Sequence, residues 1–103
     1  MSMTAEHTVL NNKSLVCVTG EVDVSNADEL RCALNEATHA GTEAVEVDLS
    51  SVSYIDSTGI GVLVGAAHRA ADAGIGFAVL HPQRNVERVL AMLGVSEELG
   101  VRA

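Results

Sequence analysis

Residues 47–63 read Val-Asp-Leu-Ser-Ser-Val-Ser-Tyr-Ile-Asp-Ser-Thr-Gly-Ile-Gly-Val-Leu and decide the fold, because an apolar period of two gives way here to a period near four. From Val45 to Leu49, apolar residues alternate with acidic ones, which is typical of a strand with one buried face. Beyond Gly59, apolar residues recur at helical spacing, at Ile60, Leu63, Val64, Ala67 and Ala71. The stretch therefore predicts a strand that leads directly into a helix.

The junction between the two patterns, Asp56-Ser57-Thr58-Gly59, predicts the helix start. The first backbone N–H groups of a helix lack partners within it, and Asp, Ser and Thr are residue types whose side chains accept from them. Downstream, Ser57, Gly61, Gly65, His68 and Asp72 share one strip at ~100° per residue, which we call the glycine strip, and it should face solvent.

Glycine inside an exposed helix costs about 1 kcal/mol relative to alanine, so the two strip glycines call for an explanation. We interpret Gly61 and Gly65 as a flat surface on which a partner or a protein-modifying enzyme docks beside the Ser57 hydroxyl. The alternative is that they allow a neighbouring helix or the sheet to pack closely.

The run from Val45 to Leu63 resembles the signature of STAS domains, most closely that of bacterial anti-sigma-factor antagonists. The resemblance lies in its Asp-Leu-Ser, Ile-Asp-Ser-Thr-Gly and Gly-Val-Leu segments. Upstream, Gly20-Glu21-Val22-Asp23 is similar to the family's Gly-Glu-Leu-Asp loop, and residues 86–95 are similar to its last helix and glycine stop. Nearly the whole chain is covered, so residues 1–103 are identified as one STAS domain.

This resemblance implies a regulatory function that is switched at one hydroxyl. Ser57 would be the phosphorylation site, with Thr58 as second choice, and the kinase would be the anti-sigma factor itself. The unphosphorylated form would bind that kinase and so release a sigma factor for transcription, until phosphorylation ends the binding and a phosphatase restores it. The residues expected to bind the partner are Asp23, Asp56, Ser57, Thr58, Gly59, Gly61 and Gly65.

A second function stays open within the same family. The chain could be a STAS regulatory module outside a sigma circuit, either a stressosome component or the small regulatory subunit of a lipid-transport ATPase. The fold would be the same in both cases. A serine directly after Asp56 in a lone domain favours the sigma-factor circuit.

Charge and hydropathy exclude several kinds of partner. The formal net charge of −8 argues against nucleic acid and anionic membranes, which require a basic surface, and favours a basic protein partner. No apolar run approaches the ~20 residues of a membrane span, and the N-terminus lacks a basic segment followed by an apolar one. We therefore expect a cytoplasmic protein.

The remaining pattern predicts an α/β fold with element order ββαβαβα. Strands at residues 5–10 and 14–19 form a hairpin through Asn11-Asn12, and the first helix is capped by Ser25 with Asp28. Further elements are a strand at 44–49, a helix at 57–73, a strand at 76–80 and a last helix ending at Gly94. The hairpin forms an antiparallel edge of a mixed sheet, and helices cover mainly one face.

The family usually continues with a further strand and helix, whereas this sequence stops at Ala103. We expect these final elements to be missing or shortened. Such a truncation would leave apolar surface open to a partner or to a second copy of the chain in a homodimer.

The residues favour no catalytic activity, cofactor or metal. Ser57 lacks the Gly-x-Ser-x-Gly turn of hydrolases, and His68, which we interpret as an isolated surface histidine, lies three helical turns away, about 16 Å. Asp-Ser-Thr-Gly resembles an aspartic protease motif, but it has an extra residue and leads into a helix, whereas those folds are nearly all strand. Cys17 is expected in the core and Cys32 on the polar side of the first helix, with a disulfide between them left open.

Overall fold

Two antiparallel strands begin the fold in the computed structural model, which describes residues 2–103. Strands β1 (Met3–Leu10) and β2 (Lys13–Val22) pair without interruption, from Met3 opposite Gly20 to Leu10 opposite Lys13. Asn11 and Asn12 turn between them with φ of 54° and 62°, the left-handed region that asparagine tolerates. The predicted hairpin is confirmed, with both strands longer than expected.

The later elements alternate between helix and strand, and every later strand pairs in parallel. The sheet order is β1-β2-β3-β4-β5, so the hairpin supplies the antiparallel edge as predicted. The last strand, which the predicted order ββαβαβα did not contain, has two residues. The elements after the hairpin are α1 (Ala27–Thr38), β3 (Ala44–Ile55), α2 (Ser57–Asp72), β4 (Gly76–Leu80), α3 (Arg84–Met92) and β5 (Val101–Arg102).

The core lies on one face of the sheet. Val16 of β2 and Val47 of β3 are paired, point to the same side and are fully buried. Each parallel connection moves one strand in the same direction, and such crossovers are right-handed, so they place their helices on one face. The opposite face, which we call the open sheet face, carries Glu6, Leu15, Cys17 and other residues that are half-buried or exposed.

The predicted core position of Cys17 is wrong. Val16 and Val18 are buried on the core side, and because side chains alternate along a strand, Cys17 must point to the open sheet face. Partial burial, followed by the carboxylates of Asp48 and Glu6, raises the pKa of its thiol. Cys32 is exposed on α1 as expected, and both cysteines are free.

Strand β3 continues six residues beyond the predicted end at Leu49. Its pairing with β4 stops at Asp48 opposite Leu80, but its pairing with β2 continues to Ile55 opposite Val22, past two register shifts in the β2–β3 ladder. Along the edge of β3 that β4 no longer covers, two side chains at the start of α3 bind the β3 backbone. Gln83 Nε2 donates to the Ser50 carbonyl at 3.0 Å, and Asn85 Nδ2 donates to the Ser53 carbonyl at 2.8 Å.

The helix predictions need two local corrections. Helix α1 starts at Ala27 with Asn26, rather than Ser25, at the N-cap position. On α2, Val64 is half-buried and Ala71 is exposed. The buried stripe is therefore rotated relative to the prediction, and its members are Gly59, Ile60, Val62, Leu63, Ala66, Ala67 and Ala70.

Candidate functional site

Ser57 is the first residue of α2, and its side chain is exposed. The neighbouring Thr58 is exposed as well, while Ile60 turns into the core and anchors the first turn. The predicted helix start is therefore confirmed, with two hydroxyls in solvent at the positive end of the helix dipole.

Asp56 is the N-cap of α2. Its backbone is extended, with φ −93° and ψ −179°, and its Oδ1 accepts the Gly59 N–H at 3.0 Å. Its carbonyl oxygen accepts the Ile60 N–H at 3.0 Å. The N–H groups of Ser57 and Thr58 belong to the helix positions that have no intrahelical acceptor, so they are available to solvent or to a bound group.

The loop that carries Asp23 lies beside this helix start. Val22 and Ile55 are paired at the ends of β2 and β3, and the Asp56 N–H donates to the Val22 carbonyl at 3.1 Å. Carboxyl ends of parallel strands meet at one edge of a sheet. The edge formed by the ends of β2 and β3, which we call the carboxyl edge, thus brings Asp23, Asp56 and Ser57 together.

Asn26, which the sequence analysis did not single out, holds the Asp23 loop in shape. Its Oδ1 accepts the Asp23 N–H at 2.9 Å, and its Nδ2 donates to the Glu21 carbonyl at 2.9 Å. Ser25 donates to Asp23 Oδ1 from its backbone N–H at 2.9 Å and from its hydroxyl at 2.5 Å. An asparagine just before an amphipathic helix was the available sequence signal, but Ser25 was equally suited to cap it.

The hydrogen bonds from Ser25 also favour the ionised form of the Asp23 carboxyl. The Ser25 hydroxyl, together with backbone N–H donors, lowers the pKa of the Asp23 carboxyl. Gly20, the first residue of the Gly20–Asp23 motif, has φ +94°. A Cβ at this position would also collide with the Ser2 carbonyl, and both facts explain why a glycine stands here.

The glycine strip faces solvent, as predicted. An added Cβ at Gly61 would meet nothing within 4 Å, and at Gly65 it would meet only the flexible end of Arg69 at 3.3 Å. The alternative of close packing within the chain is therefore wrong for these two positions. Gly59 differs, since it is buried and its Cβ would lie 2.7 Å from side-chain atoms of Ile55 and Val22.

His68 is not the isolated histidine that the sequence suggested. Its Nε2 lies 2.6 Å from Glu98 Oε2, so the far end of the glycine strip is tied to the turn before β5. Both side chains are largely exposed, and such pairs contribute about 0–1 kcal/mol. The pair gives the strip a polar boundary at the end away from Ser57.

The surface around Ser57 is open rather than a cleft. The described chain, residues 2–103, contains no pocket and no group of three histidine, cysteine or acidic residues that could hold a metal ion. Small-molecule sites are concave and bury most of their ligand. The exposed hydroxyls and bare helix backbone instead suit contact with another protein.

Comparison with known proteins agrees with the fold. The sequence model of the STAS domain matches residues 4–103. A Staphylococcus aureus protein named anti-sigma-B factor antagonist is 33% identical over 100 residues, which cover 97% of this chain and 81% of the relative. The chain belongs to the STAS family.

Solved structures show the same STAS fold. An anti-sigma factor antagonist from Mycobacterium paratuberculosis superposes with a TM-score of 0.89, at 24% identity, over 97% of this chain and 85% of that one. The Bacillus cell fate determinant SpoIIAA in its phosphorylated form superposes with a TM-score of 0.73, at 16% identity, over 99% of this chain and 92% of that one. At these identities the structural comparisons establish the fold of this STAS domain.

The STAS domain described here has no helix among residues 2–103 that is long and apolar enough to cross a membrane. Its curated relatives are named as antagonists of an anti-sigma factor. The candidate functional site of this STAS domain is its acidic carboxyl edge.

Proposed function

We propose that this STAS domain is a cytoplasmic anti-sigma factor antagonist switched by phosphorylation of Ser57. The unphosphorylated form binds an anti-sigma factor that is also a serine kinase, and a sigma factor is thereby released for transcription. Phosphorylation by the bound kinase ends the complex, and a phosphatase restores it. The observation that carries the proposal is the exposed Ser57 hydroxyl at the first position of α2, next to the Asp56 cap.

Ser57 is the favoured acceptor over Thr58, although both are exposed. Ser57 directly follows the capping aspartate, in the register that the family resemblance implies for the modified residue. SpoIIAA, which shares the fold, has been solved in a phosphorylated form. Thr58 remains the second choice, with solvation of the first helical turn as its simpler role.

The added phosphate should leave the fold almost unchanged. Phosphorylation adds about −1.5 to −2 charges, and the helix N-terminus favours an anion by about 0.3–1 kcal/mol at an exposed site. Asp56 and the ionised Asp23 at the same edge oppose that gain by repulsion. The two effects have opposite signs, so Ser57 phosphorylation changes the surface charge rather than the packing.

The complex with the kinase is where the added charge has its effect. The residues proposed to contact the kinase are Asp23, Asp56, Ser57, Thr58, Gly61 and Gly65, with Gly59 holding the first turn against Ile55 and Val22 beneath them. A dianion that is desolvated without a matched cation costs several kcal/mol. Since each 1.4 kcal/mol is a factor of ten in affinity, phosphorylation should weaken the complex by a hundredfold or more.

A regulator of this kind needs no catalytic group or cofactor of its own. A hydrolase would need a base within hydrogen-bond reach of the Ser57 hydroxyl. The Ser57 neighbours supply Asp56, whose Oδ1 already accepts the Gly59 N–H, and His68 is engaged with Glu98 at the far end of the glycine strip. We therefore propose that the domain acts only by binding.

Phosphorylation by individual anti-sigma factors tests this function. Each anti-sigma factor from the source genome is purified, incubated with the protein and Mg·ATP, and the peptide containing Ser57 is measured by mass spectrometry. We expect one phosphate on Ser57, none in Ser57→Ala, and full modification of the matched variant Thr58→Ala. Modification of Thr58 alone, or of neither residue by any anti-sigma factor, would contradict the proposal.

A binding measurement with the same kinase tests the charge switch. Ser57→Glu should bind the anti-sigma factor at least a hundredfold more weakly than the unphosphorylated protein, while Ser57→Ala, which removes a small contact but adds no charge, should lose less than tenfold. Equal affinity of Ser57→Glu and the unmodified protein would show that charge at this hydroxyl does not control the complex.

A further inference from the structure

Two exposed apolar side chains lie on the segments that meet at the carboxyl edge, near Ser57. Val24, in the loop after β2, is 76% exposed, and Tyr54, near the end of β3, is 47% exposed. Neither contributes to the buried core. The other large exposed apolar residues lie at the hairpin end, Val9 and Leu10, or on α3 and just after it, Val89, Met92 and Leu93.

The β2–β3 ladder places both side chains at the carboxyl edge. Tyr54 is paired with Glu21, and one step further Val22 is paired with Ile55. Since neighbouring strands are about 4.8 Å apart, the segment that continues to Val24 runs alongside the one that continues to Ser57. Tyr54 is three residues from Ser57 in the chain, and Val24, thirty-three residues away in the chain, is brought to the same edge by this pairing.

Both side chains are held on rigid backbone. The Val24 loop is bridged by Asn26, which binds the Asp23 N–H and the Glu21 carbonyl, and by Ser25, which donates twice to Asp23. Tyr54 lies in a strand whose next residue, Ile55, is buried. Side chains that are ordered before binding lose little conformational entropy in a complex, and tyrosine is among the residue types enriched in binding hot spots.

The charges around these side chains indicate the chemistry of their partner. Segments 21–29 and 53–58 contain no lysine or arginine, and their charged residues are Glu21, Asp23, Asp28, Glu29 and Asp56. Of these, Asp28 is paired with Arg31 on α1. Two apolar side chains on segments whose charged residues are all acidic are complementary to an apolar patch bordered by arginine or lysine.

We propose that Tyr54 and Val24 are the apolar anchors of the complex with the anti-sigma factor. They dock on an apolar patch of the kinase that is bordered by basic side chains, while Ser57 at the same edge is presented to the kinase active site. This inference rests on the proposed function and names the residues that give the complex its affinity. It also identifies the partner surface by its chemistry, as apolar and basic.

Alanine variants measured against the anti-sigma factors of the preceding experiments test the anchors. Isothermal titration calorimetry of Tyr54→Ala and Val24→Ala should show affinity losses of at least tenfold for Tyr54 and at least threefold for Val24. Tyr54→Phe, which keeps the ring, should bind within threefold of the unmodified protein. Leu10→Ala and Met92→Ala are matched controls, because these side chains are 70% and 79% exposed but lie elsewhere, and they should bind as tightly as the unmodified protein.

The outcomes separate the anchors from the function they rest on. Circular dichroism melting of each variant establishes that its fold is intact, which we expect because the truncated side chains are outside the core. If Tyr54→Ala and Val24→Ala bind as tightly as the unmodified protein while Ser57→Glu loses binding, the anchor proposal is overturned and the phosphorylation switch stands. If no anti-sigma factor binds the unmodified protein, both are overturned.

Discussion

The backbone N–H of Asp56 donates to the carbonyl oxygen of Val22 at 3.1 Å, one step beyond the last paired residues of β2 and β3. This bond joins the two loops that carry the predicted functional residues. Because it extends the strand ladder, the positions of Asp23 and Ser57 relative to each other are determined by sheet geometry rather than by a mobile loop. A partner therefore meets a preformed surface.

Alanine at two α2 glycines should have opposite effects on stability. At Gly59 the new Cβ would lie 2.7 Å from Ile55 and Val22 side-chain atoms, so Gly59→Ala should lower the free energy of unfolding by about 1–3 kcal/mol. At Gly61 the Cβ meets nothing within 4 Å, so Gly61→Ala should raise it by up to about 1 kcal/mol. Urea unfolding of both variants measures the difference.

The same pair also separates stability from binding. Gly61→Ala should weaken the complex with the anti-sigma factor although it stabilises the free protein, because its methyl group stands on the docking surface. If Gly61→Ala binds as tightly as the unmodified protein, the glycine strip is not part of the interface.

Removing the cap of α2 should destabilise the domain without touching the acceptor. Asp56→Ala loses the bond to the Gly59 N–H and should lower the free energy of unfolding by about 0.5–2 kcal/mol. Asp56→Asn retains an acceptor and should cost less. Ser57→Ala is the control, and it should stay within about 0.5 kcal/mol of the unmodified protein. Equal losses for Asp56→Ala and Ser57→Ala in chemical denaturation would argue against Asp56 as the cap.

Titration of Asp23 should depend on Ser25. The Ser25 hydroxyl is the main cause of the lowered pKa of Asp23, so in Ser25→Ala that pKa should rise toward the ordinary value of 3.8. A lowered pKa in the folded state stabilises the protein above the unfolded pKa, and the effect is lost as the pH falls through the folded value. Any stability advantage over Ser25→Ala should therefore disappear below pH 3.8. Carboxyl-detected NMR titration measures the shift, and an unchanged Asp23 pKa would contradict it.

Asn26 should contribute more to the stability of the domain than its position before a helix suggests. Asn26→Ala removes the bonds to the Asp23 N–H and the Glu21 carbonyl, and leaving these groups unpaired in a partly buried loop should cost about 1–3 kcal/mol. Asn35→Ala, at an exposed position of α1, is the matched control and should have little effect. Thermal unfolding distinguishes them, and similar melting temperatures would show that the Asp23 loop does not depend on Asn26.

Local features of the fold could be predicted because short-range physics decides them. Asn11 and Asn12 tolerate positive φ and make a two-residue hairpin turn, and Asp56 is suited to cap the helix that starts at Ser57. The solvent-facing glycine strip follows from helical spacing alone. Each of these inferences needed only neighbours a few residues apart.

Features that depend on neighbouring elements were missed or wrong. The Ser50–Ser53 region lacks the apolar alternation of a strand. Strand β3 nevertheless continues through it, because its backbone stays paired with β2 past two register shifts. Cys17 was assigned to the core because its strand is apolar, but the covered side of that strand is the one against which α1 packs. The partner of His68, Glu98, is thirty residues away in sequence and meets it only in the folded chain.

By itself, the amino-acid sequence determined the order of the elements as far as α3, the start of α2 at Ser57 and the exposure of the strip behind it, because turns, caps and helical periodicity act over a few residues. Only the tertiary structure decided that the Asp23 loop lies beside Ser57, that Gly59 is buried while Gly61 is open, and that Val24 and Tyr54 stand at the same edge. These relationships arise from pairing between β2 and β3, whose paired residues are more than thirty positions apart in the chain. No local pattern encodes the register of such a pair.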